Sequence, residues 1–219
     1  MTQARDSNHA QRLLGAELRV RLQIRADTIA DNPDMIELAR ESGMFGALVG
    51  FEAYNDEILK GVHKLGSKAI NIKASEVFRK NNIVIFGVHM FGIPGQIEKD
   101  FKETYKYGRK YSDIFRMSRF SVIPGTPIFD RYKKEGRVKT YATREYPYAY
   151  CIVDKTRKEK KLKKLYFYYL FRHTFSPFTF LDMIFTKDRL KRRMKLQGYI
   201  TNFRYGFYFI LRKLGLKLL

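Results

Sequence analysis

The chain has 219 residues, 43 Lys+Arg against 22 Asp+Glu, 45% hydrophobic residues, one cysteine and no tryptophan. That length supports one sizeable core or two small ones, and the supply of Ile, Leu, Phe and Tyr excludes disorder of the whole chain. A lone Cys151 excludes an internal disulfide, a multi-cysteine zinc site and a self-supplied iron–sulfur cluster, and it points to a cytoplasmic setting.

The net charge of +21 is uneven: residues 1–150 hold 25 basic and 18 acidic side chains, whereas residues 151–219 hold 18 and 4. The opening MTQARDSNHAQRLL is charged, and no run of about 18 uninterrupted apolar residues occurs, so neither secretion nor a membrane-spanning helix is expected.

LRVRLQIR (18–25) alternates apolar and polar residues, the period of a strand. Asn32-Pro33 then opens a helix with the stripe Met35, Ile36 and Ala39, closed by Gly43 in the position of a left-handed C-cap. FGALVGF (45–51) is a short buried-strand run. Asn55 can cap a further helix, and Ser67 caps a longer one through Ile70, Ala74, Val77 and Phe78, ended by Asn81-Asn82. IVIFGVHMF (83–91) reads as a strand covered on both faces, followed by helical spacing at Ile97, Phe101, Tyr105 and Gly108. FRMSRFSVI (115–123) reads as another strand, and Thr126-Pro127 starts a helix that Gly136 stops. Strand and helix thus alternate four times, with connections suited to parallel crossovers. The fold class is α/β, either a small doubly wound sheet or a segment of a (β/α) barrel.

In both architectures chemistry sits at the C-terminal strand ends. Those positions here are Arg25 and Asp27, Glu52 and Asn55, His89 with the turn Gly92-Ile93-Pro94-Gly95-Gln96, and Pro124-Gly125-Thr126-Pro127. A cation, a carboxylate and two glycine turns make a polar mouth that a ligand can approach closely. Arg25 and Glu52 pairing as a structural ion pair is the plainer alternative, as is His89 serving as a core residue. His9, His63 and His173 lack ligand spacing, so no metal site is assigned.

The ordered runs LQIRADTIADNPDMIELARESGMFGALVGFEAYNDEILKGVHKLGS, IVIFGVHMFGIPGQIEKDFKETYKY and FSVIPGTPIFDRYKKEGRV resemble the second half of a radical S-adenosylmethionine enzyme core. The resemblance is in particular to the group that carries an N-terminal cobalamin-binding domain, and it covers roughly residues 5–140. It implies the C-terminal part of a (β/α)6 partial TIM barrel, residues 1–140, holding the third to sixth strands, followed by a helical basic and aromatic tail, residues 141–219. It further implies a four-iron four-sulfur cluster that reductively cleaves S-adenosylmethionine to a 5′-deoxyadenosyl radical, with cobalamin through a domain outside this chain. By resemblance, Arg25 meets the methionine carboxylate and Glu52 the ribose, the segment His89, Met90, Phe91, Gly92, Pro94 and Gly95 lies along the adenine, and Ile123, Pro124 and Gly125 belong to the final strand and its turn. Gln96 stands where the family often has glutamate.

The family holds its cluster by three cysteines in a C-x-x-x-C-x-x-C loop, which this chain lacks, and RDSNHAQRLL resembles the helix after the family's second strand. The expectation is a C-terminal portion that does not bind the cluster alone and that depends on an N-terminal half or separate polypeptide carrying the loop.

From Lys155 the chain reads KTRKEKKLKKLYFYYLFRH, with Leu162, Leu165, Tyr166 and Tyr169 on one face, and Phe203, Phe207, Ile210, Leu211, Leu214 and Leu218 form a second stripe. Both are basic amphipathic helices by pattern, and HTFSPFTFLDMIF between them is expected to dip into an interface rather than span. The tail reads as a peripheral membrane element at the inner face, through residues 155–219. Packing on the barrel is the plainer alternative. RNA binding in a tRNA-modifying enzyme ranks behind the membrane, and a catalytically inactive scaffold is the third reading.

Overall fold

The computed structural model describes residues 20–61, 66–141, 149–152 and 156–213. The sequence-predicted features at His9, His63, RDSNHAQRLL, Lys155, Leu214 and Leu218 lie outside these residues, as do the side chains of Ile210 and Leu211.

Four parallel strands form one sheet in the order β1 (Val20–Ile24), β2 (Met44–Glu52), β3 (Val84–Phe91) and β4 (Ile114–Arg119). An order that advances without reversal is shared by a segment of a (β/α) barrel and by one half of a doubly wound sheet, which reverses only at its switch point. The connections are α1 (Ala26–Asp31) and α2 (Pro33–Glu41), then α3 (Asp56–Gly61) and α4 (Lys68–Lys80), then α5 (Glu98–Tyr111). After β4 come α6 (Pro127–Lys134), an antiparallel pair β5 (Val138–Tyr141) and β6 (Ala149–Ile152), and three helices: α7 (Arg157–Thr174), α8 (Pro177–Phe185) and α9 (Arg189–Lys213).

Local chemistry sets several of these boundaries. Ser67 Oγ accepts from the Ile70 N–H at 3.2 Å and Thr126 Oγ1 from the Phe129 N–H at 3.3 Å, both as N-caps. Gly43 and Gly136 take positive φ, 99° and 63°, just beyond α2 and α6. The structure departs from the sequence reading in four places. α1 is an extra helix directly after β1, a six-residue segment too short to show a helical period. β4 ends at Arg119 rather than 123, because Phe120 and Val122 turn into a cluster with α6. The β5–β6 hairpin, which contains Cys151, has no counterpart among the elements read from the sequence. The last helix begins at Arg189, well before Phe203.

Helices cover one face of the sheet, where Ala47, Val49, Phe51, Ile83 and Ile85 pack against Ile29, Ile36, Ala74 and Phe78. α5 sits close to the sheet because Gly108 lacks a side chain: a Cβ there would stand 2.3 Å from the Phe115 ring. α7 extends this layer. Its face of Leu162, Leu165, Tyr166 and Tyr169 packs on Phe91, Phe101, Tyr105 and Phe115. The apolar stripe of this helix is therefore spent on the core, while its lysines lie outside. On the opposite sheet face, Leu48, Val84, Phe86 and Ile114 are capped by Met194 of α9.

Two histidines are sealed into this core. His89 is fully buried among Phe51, Tyr107 and Phe115, and its Nδ1–H donates to the Gly87 carbonyl at 3.3 Å. Burial pushes its pKa from 6.5 down to about 3. His173 of α7, against Tyr105 and Phe115, falls to about 4 through burial and then the nearby Arg109 charge. The unfolded chain takes up these protons first as pH falls below about 6.5, so folded stability is complete above that value and lost below it. The loss runs at about 1.4 kcal/mol per pH unit for each histidine. Thermal melts between pH 7 and 4 should show this acid limb, and His89→Leu should flatten its slope. An unchanged slope in that variant would refute the assignment.

Candidate functional site

The C-terminal strand ends meet at one mouth. Ala53, Ile58 and Leu59 after β2, Met90 and Ile93 at the end of β3, and Phe120 and Val122 after β4 form one apolar cluster with Phe129 and Tyr132 of α6. This cluster fixes the loops to one another, so polar groups between them are held by a rigid floor.

Beside it, and sharing Leu59, lies a pocket lined by Arg25, Ala26, Asp27, Gly50, Phe51, Glu52, Gly66 and Asn71. Glu52 is held there under strain. The β2–β3 register shifts between Gly50 and Glu52, and Glu52 takes φ 61°, a region that L-residues with large side chains rarely occupy. The Ala53 N–H donates to the Phe51 carbonyl at 2.9 Å, closing a γ-turn around Glu52. Asn71, buried on α4, donates through Nδ2 to the same carbonyl at 3.1 Å. Strain of this kind costs on the order of 1–3 kcal/mol and persists only where the surroundings over-determine it, which is characteristic of ligand-binding positions.

Arg25 caps α1 with extended backbone and forms a fork to Asp27, Nη2 to Oδ2 at 2.5 Å and Nε to Oδ1 at 3.0 Å. That pairing, chiefly the hydrogen bond, lowers the Asp27 carboxyl below its usual range and raises Arg25. The guanidinium is exposed, with its side chain 59% accessible, so a second carboxylate can reach it.

The turn after β3 is built around Gln96. Its buried Oε1 accepts from the Gly92 N–H at 2.7 Å and the Ile93 N–H at 3.1 Å. Gly92 and Gly95 take φ of 84° and 92°, and a Cβ on Gly92 would meet nothing within 4 Å. Gly125, at φ 82° after Pro124, faces similar open space, and Ile123 is 67% exposed beside it. These are surfaces onto which a ligand can close without displacing protein atoms.

The structure thus brings Arg25 and Glu52 into one pocket and Met90, near the end of β3, into the adjoining apolar cluster, while Gly92, Pro94 and Gly95 lie in the turn after β3 and Ile123, Pro124 and Gly125 in the turn before α6. It does not bring His89 or Phe91 there. Both occupy odd positions of β3 and turn to the helix-covered face, His89 among aromatic rings and Phe91 against Phe101 and Tyr166. Sequence reasoning missed Asn71. The available signal was an amide at a buried position of the α4 stripe, where Asn71 shares the inward face with Ala74, Ser75 and Phe78.

No family model matches the chain. Among characterised proteins, it is 34% identical over 107 residues to bacteriochlorophyllide d C-12(1)-methyltransferase of Chlorobaculum tepidum, covering 48% of this chain and 24% of that protein. It is 24% identical over 185 residues to the anaerobic magnesium-protoporphyrin IX monomethyl ester cyclase of Rubrivivax gelatinosus, covering 83% of this chain and 32% of that one. The chain therefore spans about a quarter to a third of the length of these relatives. Among solved structures, it superposes on the radical S-adenosylmethionine methyltransferase TsrM from Kitasatospora setae, solved with cobalamin and a four-iron four-sulfur cluster, with TM-score 0.58 at 12% identity over 84% of this chain and 44% of that one. It also superposes on the cobalamin-dependent S-adenosylmethionine radical enzyme OxsB, with TM-score 0.55 at 11% identity over 93% of this chain and 39% of that one. Both solved neighbours are radical S-adenosylmethionine enzymes that use cobalamin, and at 11–12% identity the likeness shows that this chain shares their fold.

Gln96→Leu leaves the Gly92 and Ile93 amides without their acceptor and should cost about 2 kcal/mol, read by urea unfolding together with faster amide exchange at both residues. Gln96→Glu keeps the acceptor and should cost less. Equal stability of Gln96→Leu and the parent chain would rule out this role for Gln96.

Proposed function

We propose that this chain is the cofactor-cradling portion of a cobalamin-associated radical S-adenosylmethionine enzyme, the C-terminal part of a (β/α)6 partial barrel. The observation that supports it most is Glu52, forced into a left-handed turn in the same pocket as an accessible Arg25. The donor set suits S-adenosylmethionine. A guanidinium fork matches the methionine carboxylate, and a fixed carboxylate accepts from both ribose hydroxyls. Met90–Gly95 and the Ile123–Gly125 turn offer the adenine a surface with two glycines facing open space.

The residues present do not suit the cluster. Among the described residues no three His, Cys, Asp or Glu side chains are arranged for a metal, and the chain's single cysteine lies in β6. The cluster's cysteine loop accordingly comes from an N-terminal half or a separate polypeptide, cobalamin from a further domain, and this chain alone is inactive. S-adenosylmethionine, once bound in the complete enzyme, supplies the radical precursor. The residues here bind and orient it, and the apolar floor of Leu59, Ile93 and Phe120 keeps water from beneath it. The basic tail places the enzyme at a membrane, and the substrate is membrane-associated or lipid-like.

Titration of the chain with S-adenosylmethionine, followed by ligand-observed NMR or calorimetry, tests the assignment. Glu52→Gln and Arg25→Gln should each weaken binding about tenfold, the loss of one charge-assisted hydrogen bond, with unchanged circular dichroism. Binding indifferent to both substitutions would overturn it. Anaerobic co-expression with a polypeptide bearing the cysteine loop should give 5′-deoxyadenosine, and its absence from a cluster-loaded complex would remove the enzymatic reading.

A further inference from the structure

α8, PFTFLDMIF, carries apolar side chains around most of its circumference, Thr179 and Asp182 apart, yet only Met183 among its residues is buried. Phe178 is 70% exposed and Phe185 75%, with Phe180, Leu181 and Ile184 also open to solvent. A helix apolar all round is stable only inside a core or an apolar phase. The surface continues beyond α8. Phe180 meets Tyr199 at 6.0 Å between ring centroids, and Phe203 joins Phe175 at 5.4 Å and stacks on Phe207 at 6.2 Å, each of these phenylalanines being exposed. Isolated apolar side chains at a surface need no explanation, but a contiguous aromatic sheet does.

The charge of the segment that carries this patch points to its partner. Residues 156–213 hold sixteen Lys+Arg against three Asp+Glu. All three acids are engaged: Glu159 pairs with Arg137, Asp182 accepts from Lys195 Nζ at 2.7 Å, and Asp188 accepts from the Lys191 N–H at 2.7 Å. Asp182, the one charge on α8, is thus countered by a cation, and the segment as a whole is strongly positive. An aromatic patch on a strongly cationic segment complements a bilayer, rings at headgroup depth and basic side chains against anionic lipid. Nine residues span about 13 Å, against a hydrocarbon core of about 30 Å, and no helix among the described residues is long and apolar enough to cross.

We propose that α8, with the Phe175–Phe203–Phe207 row beside it, is a docking face that lies in the headgroup region of an anionic membrane, inserting Phe178, Leu181 and Phe185. This deepens the tail reading given under Proposed function and names the element responsible. α7 contributes charge rather than insertion, since its apolar face is already covered by the sheet and α5.

Flotation of the full chain with vesicles of phosphatidylcholine plus phosphatidylglycerol, and of phosphatidylcholine alone, tests it without any cofactor, so its failure is separable from failure of the S-adenosylmethionine site. Binding should favour the anionic vesicles and weaken with salt. Phe178→Ser with Phe185→Ser, both at exposed positions that leave the fold intact, should lower partitioning at least about tenfold. Arg192→Glu with Arg193→Glu should abolish the preference for anionic lipid. Three results would overturn the proposal: no vesicle binding by the parent chain, equal binding by the phenylalanine variant, or a salt-dependent shift with tRNA in place of vesicle binding. Concentration-dependent dimerisation lost in the phenylalanine variant, without vesicle binding, would assign the face to a second copy instead.

Discussion

The carbonyl oxygen of Phe51 joins the fold of this protein to its site. It accepts from the Ala53 amide, which closes the tight turn around Glu52, and from Asn71, which ties that turn to α4. Each bond alone contributes about 1 kcal/mol, comparable with the cost of the positive φ at Glu52. Together, with Phe51 fully buried beneath them, they hold a strained carboxylate at a strand end where an ordinary extended residue would project from one face of the sheet. The bulge between Gly50 and Glu52 then re-aims the chain so that Glu52 shares a pocket with Arg25, one strand away.

The other loops of the mouth follow the same economy of short, internal bonds on an apolar floor. Gln96 folds the Gly92–Gly95 turn onto itself, and Thr126 both caps α6 and donates to the Ile123 carbonyl at 2.7 Å. Asp100 accepts from Asn55 Nδ2 at 3.0 Å and from the Ile97 N–H at 2.8 Å, linking the loop after β2 to the start of α5. Ligand-facing backbone is thereby shaped before any ligand arrives, and the glycines face outward where a side chain would stand in the way. Preorganisation of this kind lowers the entropy cost of binding. It is consistent with the cofactor-binding role proposed for this site.

The tail divides its work between core and surface. α7 extends the helical layer and closes the sheet beyond α5, while α9 caps the opposite face through Met194 and approaches Ile114 closely at Gly198. α8, between them, has neither partner, and its aromatic residues remain outside. The exposed aromatic surface of α8 thus lies within the most basic segment of the described chain, which is the basis of the docking face proposed above.

The sequence by itself determined the α/β alternation, the N-caps at Ser67 and Thr126, the left-handed positions at Gly43 and Gly136, and the grouping of Arg25 and Glu52 at strand ends. These are local matters, set by side-chain period, capping hydrogen bonds and the steric freedom of glycine within a few residues. The family resemblance was legible for the same reason, since it rested on the order of such motifs. Only the tertiary structure decided which way each strand residue faces at the mouth. His89 and Met90 are neighbours in sequence, but the pleat sends the first into the core and the second to the apolar floor of the site. It also decided the strain at Glu52, the part played by Asn71 and the division of labour between α7 and α8, because each depends on atoms tens of residues apart. An amphipathic stripe states that a helix needs an apolar partner, and only packing decides whether that partner is the core or lies outside the protein.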